Sequence, residues 1–127
     1  MKSALCLAML AALLCAPARA QPEVQTGSIM ICDTQRQVER YVTFLDVAGN
    51  PQSAIRTVNA EADNPAACAV NDIAYIRGAT LGTVRTRSDA FQIVEILAIG
   101  ANTPAGMRPA ARPAIFFTLI KLNEVAA

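Results

Sequence analysis

Four cysteines, ten carboxylates, eleven basic side chains and no histidine are the chemically capable residues of this 127-residue sequence. Without imidazole, the Ser-His and Cys-His nucleophile pairs are excluded, and so are most zinc sites, which draw on His or Cys ligands. Carboxylate chemistry and arginine recognition remain. Glu39 and Asp46 fall seven apart on one helical side, but Arg36 and Arg40 stand beside them, the pattern of a solvated charged face. No acidic loop has calcium-site spacing, and Gly78-Ala79-Thr80-Leu81-Gly82 lacks the Gly-Lys-Ser/Thr end of a phosphate loop, so no metal or cofactor is expected.

Glu95 interrupts the apolar run Ile93-Val94-Glu95-Ile96-Leu97. Buried there, its carboxyl would have a raised pKa or need an arginine, as catalytic acids often do. A small carboxylate-dependent hydrolase would use Glu95 as its acid with an acidic partner such as Asp72. The alternative is a sheet glutamate, exposed or paired across strands with an arginine.

Arg77, Arg85 and Arg87 cluster around two expected strands, where a shared exposed face would recognise carboxylates or phosphates through bidentate guanidinium forks. Asp72, Asp89 and Glu95 are close enough in sequence to neutralise them. A third feature is the stretch Gly100 to Pro113, with Pro104, Pro109, Pro113, Met107, Arg108 and Arg112. It reads as a long proline-stiffened basic loop, and structureless connections of that length are often functional. Met107, Arg108 and Arg112 are therefore candidate binding residues. Its prolines lack P-x-x-P spacing.

The elements that must position these residues begin after an expected export signal. Lys2 provides a positive start, Ala4 to Ala16 an apolar stretch, and Ala18-Arg19-Ala20 a small-residue cleavage site after Pro17. The apolar stretch is too short to span a bilayer, and Leu14 stands where a lipidation signal at Cys15 would need a small residue. Residues 1–20 are thus expected to be a secretory signal peptide, and residues 21–127 one small domain with no membrane span. Losing Lys2 and Arg19 leaves nine basic against ten acidic residues, with no basic excess of the kind nucleic-acid binders carry. The dominance of arginine over lysine in an alanine-rich background suits a GC-rich bacterial genome.

Cleavage also removes Cys6 and Cys15, leaving Cys32 and Cys68, which in an oxidising compartment most simply form one disulfide. The bridge would close a loop of about 37 residues, worth on the order of 4 kcal/mol in chain-entropy terms. There is no C-x-x-C pair for thiol exchange.

Gln21 to Thr26 is polar and unpatterned, a loose lead-in to a short strand Ser28 to Cys32. Thr34 and Gln37 have capping-box spacing, and Val38, Tyr41, Val42 and Leu45 form one apolar stripe of a helix that Gly49 ends. Asn50-Pro51 opens a second helix with Ile55, Val58 and Ala62 on its inner face, closed at Asn64-Pro65. Four β-like runs follow: Ile73 to Arg77, Leu81 to Arg87, Ala90 to Ile99 and Ala114 to Asn123. A two-residue hairpin at Ser88-Asp89 would put Arg85 opposite Gln92, beside Thr83 and Arg87, with Val84, Phe91 and Ile93 on the core face. The last two runs are apolar on both faces, as central or covered strands are.

The order predicts an α+β fold: a mainly antiparallel sheet or small curled barrel of about five strands, with a two-helix hairpin packed on one face. The expected function is a non-catalytic binding or interaction module of the bacterial cell envelope, accessory or inhibitor-like, periplasmic or secreted. A protein or envelope component would be its partner, met through the arginine strands and the 100 to 113 stretch.

Overall fold

A computed structural model describes residues 22–122, so the expected signal peptide lies outside the described residues, as do residues 123–127. The chain order is β1 (Val24–Cys32), α1 (Gln35–Ala48), α2 (Pro51–Glu61), β2 (Cys68–Arg85), β3 (Ala90–Thr103) and β4 (Gly106–Lys121). All neighbouring strands are antiparallel in the order β1-β2-β3-β4, and β4 returns to β1 to close a small barrel. The α+β class and the packed helical pair are as expected, with four long strands in place of about five shorter ones.

Local chemistry sets the helices. The Thr34 hydroxyl accepts from the Gln37 backbone N–H at 3.2 Å while Gln37 Oε1 accepts from Thr34 N–H at 3.1 Å, a complete capping box. Gly49 ends α1 in the left-handed region at φ 68°, and its N–H donates to the Leu45 carbonyl. Asn50 then caps α2 with Pro51 at the first helical position. The buried side of α2 is Ala54 and Val58; Ala62, expected on it, is exposed because it is already the C-cap.

The expected runs Ile73 to Arg77 and Leu81 to Arg87 are one strand, β2, which begins at Cys68 and passes through Gly78 to Gly82 by register shifts. The sequence from Gln21 to Thr26 is not all lead-in either: Val24, Gln25 and Thr26 pair with Ile76, Tyr75 and Ala74. Polar strand residues carry no period-2 signal, and here the partner strand imposes the conformation.

Two apolar layers flank the sheet. Cys32, Val38, Tyr41, Val42, Ala54, Val58, Cys68 and Ile93 form a buried cluster between helices and sheet. On the other pleat face Ile31, Ile73, Val94, Ile96 and Ala98 pack together without any helix residue, filling the inside of the curl. β3 is thus covered on both sides, as its sequence predicts. The curl closes at Ile31↔Thr118 and Cys32↔Phe117, where the buried Thr118 hydroxyl donates to the Met30 carbonyl at 2.6 Å.

Cys32 and Cys68 are direct ladder partners with Cα atoms 4.1 Å apart, and they form the expected disulfide. The chain leaves the sheet at Cys32, builds both helices and re-enters at Cys68. The bridge therefore ties the neck of the helical pair. Among the described residues no helix is long and apolar enough to cross a membrane.

Candidate functional site

The stretch expected to be a loop, Gly100 to Pro113, is the end of a β3–β4 hairpin that turns at Pro104-Ala105. Thr103 pairs with Gly106, Asn102 with Met107, Ala101 with Arg108 and Gly100 with Pro109. The next pair is Ala98 with Ala114, so Ala110, Ala111, Arg112 and Pro113 bulge opposite Ile99 alone. Proline has no N–H to give a ladder, and Pro109 and Pro113 bracket the bulge. Those prolines and the short apolar side chains around them made the segment look like a loop.

Every residue from Gly106 to Pro113 is exposed. Met107, half exposed, packs its Cγ over Gly100, where a Cβ would meet that atom at 3.2 Å and the Arg108 carbonyl oxygen at 2.8 Å. Arg108 and Arg112 are the charged groups of this arm; from Gly100 to Lys121 the sequence contains no carboxylate.

The arm continues into an apolar row. Val24, Ile76, Leu97 and Ile115 are successive ladder partners across all four strands, on the pleat face that the helices cover elsewhere. Val24 is 48% and Ile115 55% exposed, so the row is open at both ends.

Arg77 and Arg85 share the opposite pleat face with Thr80, Thr83 and Gln92. Arg87 does not join them. The turn is wider than Ser88-Asp89: Thr86 N–H donates to the Asp89 carbonyl at 2.9 Å, and Arg87 lies in this loop, its N–H donating to the Asp46 carboxylate at 3.0 Å. The register is accordingly Arg85↔Ala90 and Thr83↔Gln92, two residues from the expected one, and an even slip keeps the side chains that remain in the ladder on their expected faces. Val84 and Phe91 are direct partners on the helix-facing side, with Ile93 next along the strand.

The arginines are not neutralised as the sequence suggested. The two ion pairs among the described residues are Arg40–Glu61 at 2.7 Å and Lys121–Asp89 at 3.0 Å. Each pair holds its carboxyl below the ordinary range, through a hydrogen bond from Arg40 to Glu61 and from Lys121 to Asp89. The strand and hairpin arginines also do not form one surface. Arg85 and Arg108 occupy ladder positions eleven residues apart along β3, roughly 36 Å at strand rise.

Glu95 stands on the helix-side pleat face opposite Phe117, between Ile93 and Leu97, and is half-buried. Asp72 accepts from the Asn102 amide at 3.1 Å, seven residues along β3 from Glu95, roughly 23 Å away. The two acids do not converge. A dyad of Glu95 with Asp72 is overturned by this register, since one cleft needs both carboxylates within a few ångströms of the substrate.

A cleft of about 730 Å³ lies on the helical pair and is lined by Thr34, Arg36, Gln37, Arg40, Val58 and Glu61. Arg40 closes its wall by bonding both Glu61 oxygens, at 3.1 and 2.7 Å, and stacking 4.6 Å over Phe44. Arg40 and Glu61 are thus spent on each other, while Arg36 is in neither described ion pair. Among the described residues no three acidic or cysteine side chains gather in a metal-holding group.

No protein-family model, no curated protein and no solved structure matches this chain.

Proposed function

We propose that the protein is a non-catalytic binding module of the bacterial cell envelope, accessory or inhibitor-like, and that the β3–β4 hairpin is the element that meets its partner. The observation that carries this reading is the unbroken exposure of Gly106 to Pro113 along an ordered strand bearing Met107, Arg108 and Arg112. An exposed, stiff arm offers a partner pre-ordered backbone, so little ordering entropy is lost on binding. The positive charge of Arg108 and Arg112 suits an acidic surface on a protein or envelope component, with Asp72, bonded to Asn102, as the carboxylate beside the hairpin. The half-exposed row ending at Ile115 supplies adjoining apolar area.

The buried disulfide supports maturation outside the reducing cytoplasm, in the periplasm or beyond. Cell fractionation with thiol trapping tests that compartment. The binding role is tested by capture from the protein's own envelope fraction with wild type and with Arg108→Ala/Arg112→Ala. The double variant should keep the wild-type melting temperature and lose the captured species. Equal capture by both would remove the hairpin from the reading.

A further inference from the structure

β1 has an unfinished edge. Among the described residues β4 pairs with β1 at Ile31 and Cys32 alone, so from Val24 to Met30 the strand has β2 on one side and no strand on the other. The polar backbone groups on that open side can be assigned. Both backbone groups of Cys68 bond to Asn59, so the Cys32–Cys68 pair exchanges no ladder bonds. Antiparallel alternation then turns the N–H and C=O of Met30, Ser28, Thr26 and Val24 away from β2. The Thr118 hydroxyl of β4 meets the Met30 carbonyl on that outward side. Ser28, Thr26 and Val24 are left as a row of outward donors and acceptors, all three exposed, with neither charge nor proline to blunt it.

Three further features adjoin this edge. A cleft of about 290 Å³ opens where β1 and β4 part, its helix-side walls formed by Ser28, Met30, Tyr41, Leu45, Phe91 and Leu119. Val24, on the same pleat face as Ser28 and Met30, is an apolar side chain left half exposed. Gly27, on the opposite pleat face, has open space where a Cβ would stand, with nothing within 4 Å.

We infer that the protein forms a symmetric dimer in which the β1 edges of two copies pair antiparallel, with Thr26 facing its counterpart on the twofold axis. A strand edge is met by another extended backbone, and this one complements itself. The register joins outward-turned residues to each other as hydrogen-bonded pairs, Thr26 with Thr26 and Val24 with Ser28. Each copy's Val24 then stands beside the other's Ser28 at the mouth of the apolar cleft, so each exposed valine fills the other copy's opening. Gln25 comes opposite Gly27, where the absent side chain leaves it room. No charge lies between Val24 and Met30, so two identical strands meet without like-charge repulsion. Pairing ends where β4 begins: Pro22 falls opposite Met30 and has no N–H to give, and the Met30 carbonyl is already taken. This surface is separate from the hairpin, so the dimer and the hairpin reading stand or fall independently.

Sedimentation equilibrium of the purified, disulfide-bonded protein should give the mass of two chains, falling toward one on dilution. Thr26→Lys sets two like charges against each other on the axis and should abolish the dimer, and Thr26→Glu should do the same. Thr26 is exposed and its N–H faces away from β2, so both variants should keep the fold, which far-ultraviolet circular dichroism checks. Mixing the two variants should restore the mass of two chains, because opposite charges then meet. Val24→Ser should raise the dissociation constant about tenfold or more, from apolar burial lost at two symmetric sites. A single-chain mass at every concentration, a dimer that survives Thr26→Lys, a mixture that stays monomeric, or a dimer dissolved by Arg108→Ala/Arg112→Ala would each overturn the assignment.

Discussion

The Asn59 side chain pairs with the Cys68 backbone in both directions: Oδ1 accepts the Cys68 N–H at 2.8 Å, and Nδ2 donates to the Cys68 carbonyl at 3.0 Å. The same amide nitrogen also reaches the Pro65 carbonyl at 2.9 Å. One side chain of α2 thus docks the helix onto the first residue of β2 and satisfies backbone groups next to a buried disulfide. Replacing Asn59 with Ala leaves those groups unpaired and should cost about 2 to 3 kcal/mol of unfolding free energy. Urea denaturation measures it; a loss under about 0.5 kcal/mol, the range of ordinary surface changes, would show that the amide is dispensable.

The Cys32–Cys68 bridge should contribute on the order of 4 kcal/mol, because it closes the long loop containing both helices. Thermal melts with and without reductant should differ by roughly 15 °C or more for a domain of this size. Peptide mapping should recover Cys32 and Cys68 on one cross-linked species that reduction separates. Two alkylatable thiols in protein purified from its own compartment would contradict this.

Gly78 should be hard to replace. An added Cβ meets backbone rather than a movable side-chain end, so Gly78→Ala should destabilise by about 1 to 3 kcal/mol. Gly82, where a Cβ would meet nothing within 4 Å, is the internal control, and Gly82→Ala should be milder. Equal midpoints for the two variants in denaturant would rule out the close approach.

The Arg40–Glu61 contact makes a prediction about pH. The hydrogen bond from Arg40 lowers the Glu61 carboxyl most, aided by the charges of Arg40 and Arg36 and opposed by burial. A carboxyl lowered on folding stabilises the fold above its unfolded pKa, and that contribution disappears as pH falls through the lower folded value. Both groups are solvent-exposed, so the effect on stability is small and the titration itself is the better readout. In Arg40→Gln, the Glu61 midpoint followed by carboxyl carbon NMR should move up toward the ordinary carboxylate range. An unmoved midpoint would mean the pair does not persist in solution.

Elements specified by neighbouring residues were legible in the sequence. Thr34 with Gln37, Gly49, and Asn50 with Pro51 mark three helix ends within a few residues each, and the structure uses all of them. The helix-side placement of Val84, Phe91 and Ile93 was legible too, because it depends on alternation and survives a two-residue change in the turn. What depends on distant partners was not. Nothing local to Gln25 or Thr26 signals a strand, since their conformation comes from Tyr75 and Ala74 across the ladder. Asn59 carried no signal at all, being a polar residue in the last turn of α2 whose partners lie several residues beyond the helix end. The hairpin was misjudged as a loop because prolines within it are ordinarily breakers, and only the pairing of Met107 and Arg108 with β3 shows that they sit in a strand. At the candidate sites the charges were visible, but that Arg85 and Arg108 stand eleven residues apart along β3 required the register.

The prolines that disguised the arm also govern how it behaves in company. Among the described residues β4 meets β1 only at Phe117 and Thr118, and its other edge from Gly106 to Phe116 has no neighbouring strand. A second molecule arriving edge-on would seek a continuous row of N–H donors there and find none at Pro109 or Pro113. The arm can therefore stand out in a crowded compartment without seeding chain-to-chain polymerisation.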